Sequence, residues 1–336
     1  MNKITKILLV LLSVLGIMGG CVYATLNQIT EVKIDKSNEA LGIEDIQDDI
    51  TPIENTDKKS DEPKGKNRND IINIALFGLD RRNEKEVSRS DAIMILTVDF
   101  KHKKIKLSSI MRDTYVEIEN YKAQKINHAY ALGGAQLAIK TINQNFGTDI
   151  RHFASVDFFA LEEIIDILGG VNLPIKKSEI SNINTYIKEV ATLSNKEPEY
   201  LTEEGEQVLN GLQAVAYARI RSVGNGDFER TERQRRVLTQ LIATGQEKGI
   251  SKIPELATKV LPLVETNFTK SEILEMAFDY FRNQPMTIEQ KRFPIDNHYK
   301  TDMSTGVWYI KADFEETKKD IYEFIYEDNV EINNSI

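Results

Sequence analysis

The chain has 336 residues, 41% hydrophobic and 28% charged, with a net charge of −9 and a single cysteine, Cys21. That length builds one large domain, or one domain with an appendage. A disulfide framework and a Cys-ligated metal site are excluded. So is general affinity for nucleic acid, which needs a basic face.

Lys3 and Lys6 precede a run without charge at residues 7–26. A helix of that length, at ~1.5 Å per residue, spans the ~30 Å hydrocarbon layer. The two lysines place the N-terminus inside and the bulk of the chain outside. Residues 1–6 then form a short cytoplasmic N-terminus and 7–26 a transmembrane signal anchor. The alternatives are a cleaved signal peptide, for which the run is long, and a lipoprotein signal at Gly19-Gly20-Cys21, to which Met18 is a poor fit. Residues 27–69 are polar and nearly free of aromatics, which predicts an extracytoplasmic stalk. The folded domain is expected over 70–328, followed by a tail at 329–336.

IINIALFG, from Ile71, reads as a buried strand closed by Gly78. Residues 92–100 and 103–110 read as two strands joined at Lys101-His102, and 114–118 alternates like a further strand. A helix is predicted over 129–145, with Ala131, Ala135, Ile139 and Ile142 on one face. HFASVDF precedes a helix at 158–168 that Gly169-Gly170 ends. Thr202–Glu206 and Leu209–Arg219 suggest helix, followed by a glycine-containing loop at 222–228. Further helices are expected at 230–249, 252–264 and 270–282, late strands in QKRFPI and GVWYI, and a closing amphipathic helix at 313–327. Mixed strands and helices imply an α/β fold with a central mixed β-sheet covered by helices.

Arginine is unevenly placed. Fourteen of the 43 basic residues are arginine, yet the window 219–236 holds six arginines and no lysine. Guanidinium binds phosphate oxygens bidentately and keeps its charge when partly buried. Arg219 and Arg221 end an apolar helix. Arg230, Arg233 and Gln234 share a helical face, and free N–H groups at that helix start also attract anions. The competing reading is a surface patch pairing with Glu229 and Glu232. A second cluster sits at strand ends, where α/β sheets bind ligands: Asp80-Arg81-Arg82, Arg89-Ser90-Asp91, Arg112-Asp113 and Lys125. Asp80 and Asp91 suit a hard cation such as Mg²⁺; alternatively, both pair with Arg81, Arg82 or Arg89. If the two clusters meet, they form a pyrophosphate clamp that neutralises charge on a transferring phosphoryl group, and no covalent nucleophile is needed.

These residues carry a resemblance. GLDRR (78–82), RSDAIMILTV (89–98), SSIMRDTYVEI (108–118), KINHAYALGG (125–134), VDFFALEEIIDILGGV (156–171) and AYARIRSVGNGDFERTERQRRVL (216–238) follow one another as in the LytR-CpsA-Psr family of bacterial cell-wall ligases. The likeness covers residues 71–241. Met111 and Glu229 depart from the family's usual proline and glycine.

The resemblance implies a three-layer αβα fold with an apolar pocket for a polyprenyl chain. It implies Mg²⁺-dependent transfer of a phosphosugar glycopolymer (teichoic acid, capsule or similar) from an undecaprenyl-pyrophosphate-linked donor to the C6 hydroxyl of N-acetylmuramic acid in peptidoglycan. Arg89, Arg112, Lys125, Arg219, Arg221, Arg230 and Gln234 fall on its pyrophosphate-binding positions, and Asp80 and Asp91 on its metal-linked carboxylates. Arg112, Arg219, Arg221 and Asp91 are the expected catalytic set, with the general base unassigned. A pyrophosphatase and a non-catalytic, lipid-binding regulator of the envelope are the competing functions.

Overall fold

The computed structural model describes residues 30–43, 71–81, 88–248, 253–304 and 306–326. The run at 7–26, Arg82 and the tail lie outside them, as does most of the expected stalk. No helix among the described residues is long and apolar enough to cross a membrane.

In chain order the elements are β1 (Thr30–Glu31), α1 (Asn38–Leu41), β2 (Ile71–Leu79), β3 (Ser90–Asp99), β4 (Lys104–Ile110), β5 (Tyr115–Val116), β6 (Gln124–Lys125) and α2 (His128–Phe146). Then come β7 (His152–Asp157), α3 (Phe158–Leu168), β8 (Val171–Ile175), α4 (Lys177–Ser194), β9 (Gly205–Leu209), α5 (Gly211–Arg219) and α6 (Asp227–Lys248). The chain closes with α7 (Ile253–Val260), a 3₁₀ turn (Leu261–Leu263), β10 (Glu265–Thr266), α8 (Lys270–Arg282), β11 (Thr287–Phe293), β12 (Tyr299–Asp302), β13 (Tyr309–Ala312) and α9 (Phe314–Tyr326). Seven strands form a mixed sheet in the order β1-β10-β7-β2-β3-β4-β11. β3 and β4 run antiparallel, while β4 and β11 run parallel. The α/β class with a mixed central sheet and flanking helices is thus as the sequence predicts.

The chain divides into two compact units. The first takes residues up to 33, 76–93 and 152–285, and the second takes 34–75, 94–151 and 286–336. In the first, Asp157 caps α3 by accepting from the Ala160 N–H at 2.9 Å, and Gly169 ends it at φ +86°. Helix α5 starts with a capping box, Asn210 with Gln213, and every residue from Gly211 to Ala218 is buried. A Cβ on Gly211 would stand 2.0 Å from the Glu162 carbonyl oxygen, so only glycine lets α5 pack this closely on α3. Ile165, Leu173, Ile187, Leu209, Val215 and Tyr217 anchor the core of this unit.

In the second unit, Ile95, Leu107, Phe146 and Phe293 are all at most 1% exposed. The fully buried Lys106 reaches the C-terminal end of α9, donating to the Phe324 and Ile325 carbonyls at 2.7 and 3.2 Å. Its charge there meets the negative end of the helix.

Three expectations change. Thr202–Glu206 is not helical. Gly205, at φ +107°, instead opens β9, which pairs antiparallel with β8 from Gly205↔Ile175 to Leu209↔Val171. Helix α4, eighteen residues long, stands where no element was predicted. Residues 30–43, inside the expected stalk, carry regular structure: β1 pairs parallel with β10, and α1 buries Leu41 completely. A short polar strand gains its stability from pairing, which composition does not register.

Candidate active site

The first unit gathers its charged residues at the ends of β2 and α5. Asp80 follows β2, and its N–H donates to the Arg89 carbonyl at 3.3 Å, pinning the end of one strand to the approach of the next. Asp91 is the second residue of β3. Arg219 closes α5, Ile220 leaves the helix with extended backbone (φ −59°, ψ 128°), and Arg221 follows. Residues 222–226 form a loop, and α6 begins at Asp227, so Arg230 stands at the first turn of that helix.

These elements enclose a cavity of about 150 Å³ lined by Asp80, Asp91, Phe158, Tyr186, Ala218, Arg219, Arg221, Arg230 and Gln234. Six of the expected site residues thus meet in one place. Asp91 is their hub. Its Oδ2 lies 2.8 Å from Arg221 Nη2 and 3.7 Å from Arg230 Nη1. Asp227 binds the same two guanidiniums, at 3.8 Å from Arg221 and 3.3 Å from Arg230. Arg219 is held differently. Its guanidinium lies 4.6 Å from the Phe158 ring centre and 5.7 Å from that of Tyr186, and Nη2 pairs with Glu189 at 2.9 Å. Its Nη1 is buried and has no hydrogen-bond partner. The carboxylate of Asp80 carries no ion pair among the described residues, so neither Arg81 nor Arg89 takes it, and Arg82, the third expected alternative, lies outside those residues.

The other expected residues lie elsewhere. Arg89 has an exposed side chain outside the lining. Arg112 and Lys125 belong to the second unit, where both turn to the buried Asp113: Lys125 Nζ at 2.5 Å, with Tyr309 beneath it at 5.7 Å, and Arg112 Nε at 3.6 Å. Sequence reasoning missed Asp227, Phe158 and Tyr186. Asp227 was visible in principle, three residues before Arg230 on one helix. Tyr186 had no local signal.

Behind the cavity, Arg233 is 2% exposed, and each of its three guanidinium nitrogens has a protein acceptor. Its Nε donates to Glu179 at 3.0 Å, Nη1 to the Ile220 carbonyl at 3.2 Å and Nη2 to Glu229 at 2.8 Å. Ile220 lies between Arg219 and Arg221, so this side chain fixes the backbone from which both cavity arginines project. Glu229 extends the brace by accepting from the Asn225 N–H at 3.3 Å. Arg236 pairs with Glu232 and donates to the Tyr217 hydroxyl at 3.1 Å. Burial pushes the Tyr217 phenol above its usual range, and the Arg236 hydrogen bond pulls it back in part.

No group of three His, Cys, Asp or Glu side chains gathers among the described residues to hold a metal by itself. A cation here would rest on Asp80 and Asp91 with ligand oxygens completing its shell.

The LytR_cpsA_psr family description matches residues 41–323 of the chain. The chain belongs to this family. Among curated members it is similar to "Regulatory protein MsrR" of Staphylococcus aureus (strain COL), 32% identical over 261 residues that cover 76% of this chain and 75% of that protein. It is also similar to "Polyisoprenyl-teichoic acid--peptidoglycan teichoic acid transferase TagU" of Bacillus mycoides, 30% identical over 311 residues, 90% of this chain and 91% of that one. Among solved members, the fold resembles Bacillus subtilis YwtF (TagT) with bound octaprenyl pyrophosphate lipid. The TM-score is 0.56 at 23% identity, with 76% of this chain and 90% of that chain covered. The curated LytR_cpsA_psr members it resembles are thus named both as a transferase and as a regulator.

Proposed function

We propose that the protein transfers a phosphosugar glycopolymer from an undecaprenyl-pyrophosphate-linked donor to the C6 hydroxyl of N-acetylmuramic acid in peptidoglycan. The observation that carries this reading is the convergence of Arg219, Arg221, Arg230 and Gln234 with Asp80 and Asp91 on one cavity. Three guanidiniums beside two carboxylates form a receptor for a diphosphate accompanied by a divalent cation. The names of TagU and of the TagT complex supply the chemical class, a polyprenyl-linked wall polymer.

In this reading the guanidiniums of Arg219, Arg221 and Arg230 hold the donor diphosphate, and Arg219 Nη1 contributes its open N–H. The acceptor oxygen attacks the phosphorus attached to the glycan, and the bond from that phosphorus to the bridging oxygen breaks. Polyprenyl phosphate leaves. Positive charge fixed before the reaction is worth most here, because it needs no reorganisation as the leaving phosphate gains charge. Asp80 and Asp91 would hold Mg²⁺, which prefers one or two carboxylates with phosphate oxygens and supplies Lewis-acid neutralisation when bound. Asp91 joins the two halves, since the carboxylate that would hold the cation also orients Arg221 and Arg230. Arg89, Arg112 and Lys125 enter as phosphate ligands by family resemblance alone. Residues 7–26 would anchor the chain, with the N-terminus inside and the domain outside the membrane.

The test is transfer by purified full-length protein from a lipid-linked donor to peptidoglycan. Full activity in both Arg219→Ala and Arg221→Ala would remove them from the mechanism. Release of free glycan phosphate without peptidoglycan would instead mark a hydrolase. The name of MsrR favours a second reading, a regulator that binds the lipid without turnover. Genetic complementation by an Asp80→Ala, Asp91→Ala variant would support it.

A further inference from the structure

We infer that the protein sits directly on the bilayer, with the apolar segment Leu261–Val264 in contact with lipid beside the point where the anchor leaves the membrane. The inference rests on the reading of residues 7–26 as a membrane anchor and adds where the folded body stands relative to it.

Three observations on the first unit carry it. The connection between the apolar run and the fold is very short. Only residues 27–29 separate Leu26 from Thr30, which already pairs with Glu265. Four Cα steps reach about 14 Å at full extension, so the start of β1 cannot stand farther than that from the end of the run. The second observation is direction. β1 and β10 are parallel, in register Thr30↔Glu265 and Glu31↔Thr266, with the Val32 N–H donating to the Thr266 carbonyl at 2.8 Å. Thr30 and Glu265, the first residues of the two strands, therefore lie at the same end of the pair.

The third is what that end presents. Leu261, Pro262, Leu263 and Val264 are four consecutive apolar residues, and none is fully buried. Pro262 lacks a backbone donor, and the Val264 N–H closes the turn on the Leu261 carbonyl at 3.2 Å. The turn thus satisfies much of its own backbone, as contact with lipid requires. Each of these side chains is partly covered by the protein and keeps some apolar surface open. Against the boundary between headgroups and acyl chains they are covered by lipid.

The same strand links the membrane to the cavity. Glu265, paired in register with Thr30, accepts from Arg81 at 2.8 Å and from the Ser155 hydroxyl at 3.3 Å. Arg81 follows Asp80, which lines the cavity. The turn bearing a site carboxylate is therefore tied to the strand next to the membrane exit. A substrate whose diphosphate lies at the lipid surface would meet this cavity close to the bilayer.

The experiment uses full-length protein in phosphatidylglycerol/phosphatidylethanolamine vesicles. Cys21→Ser frees the chain of thiols, and an environment-sensitive fluorophore is attached in turn to Gly16→Cys, Leu263→Cys or Val208→Cys. Val208 is 68% exposed in the same unit and serves as the aqueous control. Spin-labelled lipids with quenchers at shallow and deep positions report depth. The expected result is deep quenching at G16C and shallow quenching at L263C several-fold above that at V208C. Quenching at G16C with L263C no greater than V208C overturns the seating while the anchor stands. A G16C probe that no lipid quencher reaches overturns the anchor and the seating together. A variant with unaltered folded residues gives an independent check. A Gly/Ser spacer of about 15 residues between Leu26 and Thr30 adds roughly 20 Å of reach. It should lower transfer from a bilayer-embedded donor several-fold and leave transfer from a short-chain, water-soluble donor unchanged. Equal loss with both donors, or with neither, contradicts the proposal.

Discussion

In the arginine-rich window from 219 to 236, Arg233 and Arg236 differ from Arg219, Arg221 and Arg230, and the difference separates support from the candidate site. Arg233 and Arg236 face inward or along α6, and Arg233 spends its donors on protein acceptors: two carboxylates and a carbonyl. Arg219, Arg221 and Arg230 line a cavity, and Arg219 keeps a buried donor open. A guanidinium that serves only the fold has its geometry completed by the protein. One that serves a ligand leaves part of its fork for that ligand. Both kinds occur in one loop and helix because the first aims the second: Arg233 grips the carbonyl of Ile220, between Arg219 and Arg221.

The comparison breaks most severely at Arg233. Arg233→Met leaves Glu179, 1% exposed, without its cation. Removing one partner of a buried pair costs about 3–5 kcal/mol, so thermal unfolding should show a large loss of stability with activity falling alongside. An unchanged melting temperature would mean the brace is not structural. Arg219→Ala should do the reverse. Transfer should drop on the order of 10²–10³-fold, as when one preorganised donor is lost. The melting temperature should fall far less than in Arg233→Met, because the pair with Glu189, 43% exposed, contributes about 0–1 kcal/mol and the contact with the Phe158 ring about 0.5–2 kcal/mol.

Gly224→Ala probes the loop between the two sets. Gly224 lies at φ +74°, and an added Cβ would meet the Glu229 carboxylate at 1.8 Å. The left-handed backbone alone costs about 1–2 kcal/mol, and Glu229 must also swing away from Asn225 and Arg233. We expect a moderate stability loss with a several-fold rise in KM for the donor, checked by unfolding and by steady-state kinetics. Arg236→Lys should matter least. Its partner Glu232 is 46% exposed, so a change within about 0.5 kcal/mol is expected in chemical denaturation. A larger loss would move Arg236 from the surface class to the buried one.

The arginine window was legible because an excess of one residue type at helical spacing is a local signal. The joining of Asp80, Asp91 and Arg219 to Gln234 on one cavity was legible only as a condition to be met, since their separation in sequence says nothing of distance. Helix α4 was lost because its lysines and asparagines blur the apolar stripe of Ile183, Ile187 and Val190. With it went Tyr186 and Glu189, which hold Arg219 from thirty or more residues away. Thr202–Glu206 misled because its three Glu residues favour helix, whereas Gly205 and pairing with β8 decide the conformation. The stalk misled at 30–43 for a related reason. What holds Leu41 there is contact across a hundred residues: the Asn143 side chain donates to its carbonyl at 2.8 Å.

Asp91 and Asp227 have a further effect as occupants of the guanidinium forks. Any anion that enters must outcompete carboxylates already in place at 2.8–3.8 Å. Orthophosphate or sulfate, abundant and small, offers too few contacts to displace both. On the proposed function, a ligand with two linked phosphates and a cation to engage Asp91 would do so at once, and orthophosphate or sulfate should compete only weakly with it.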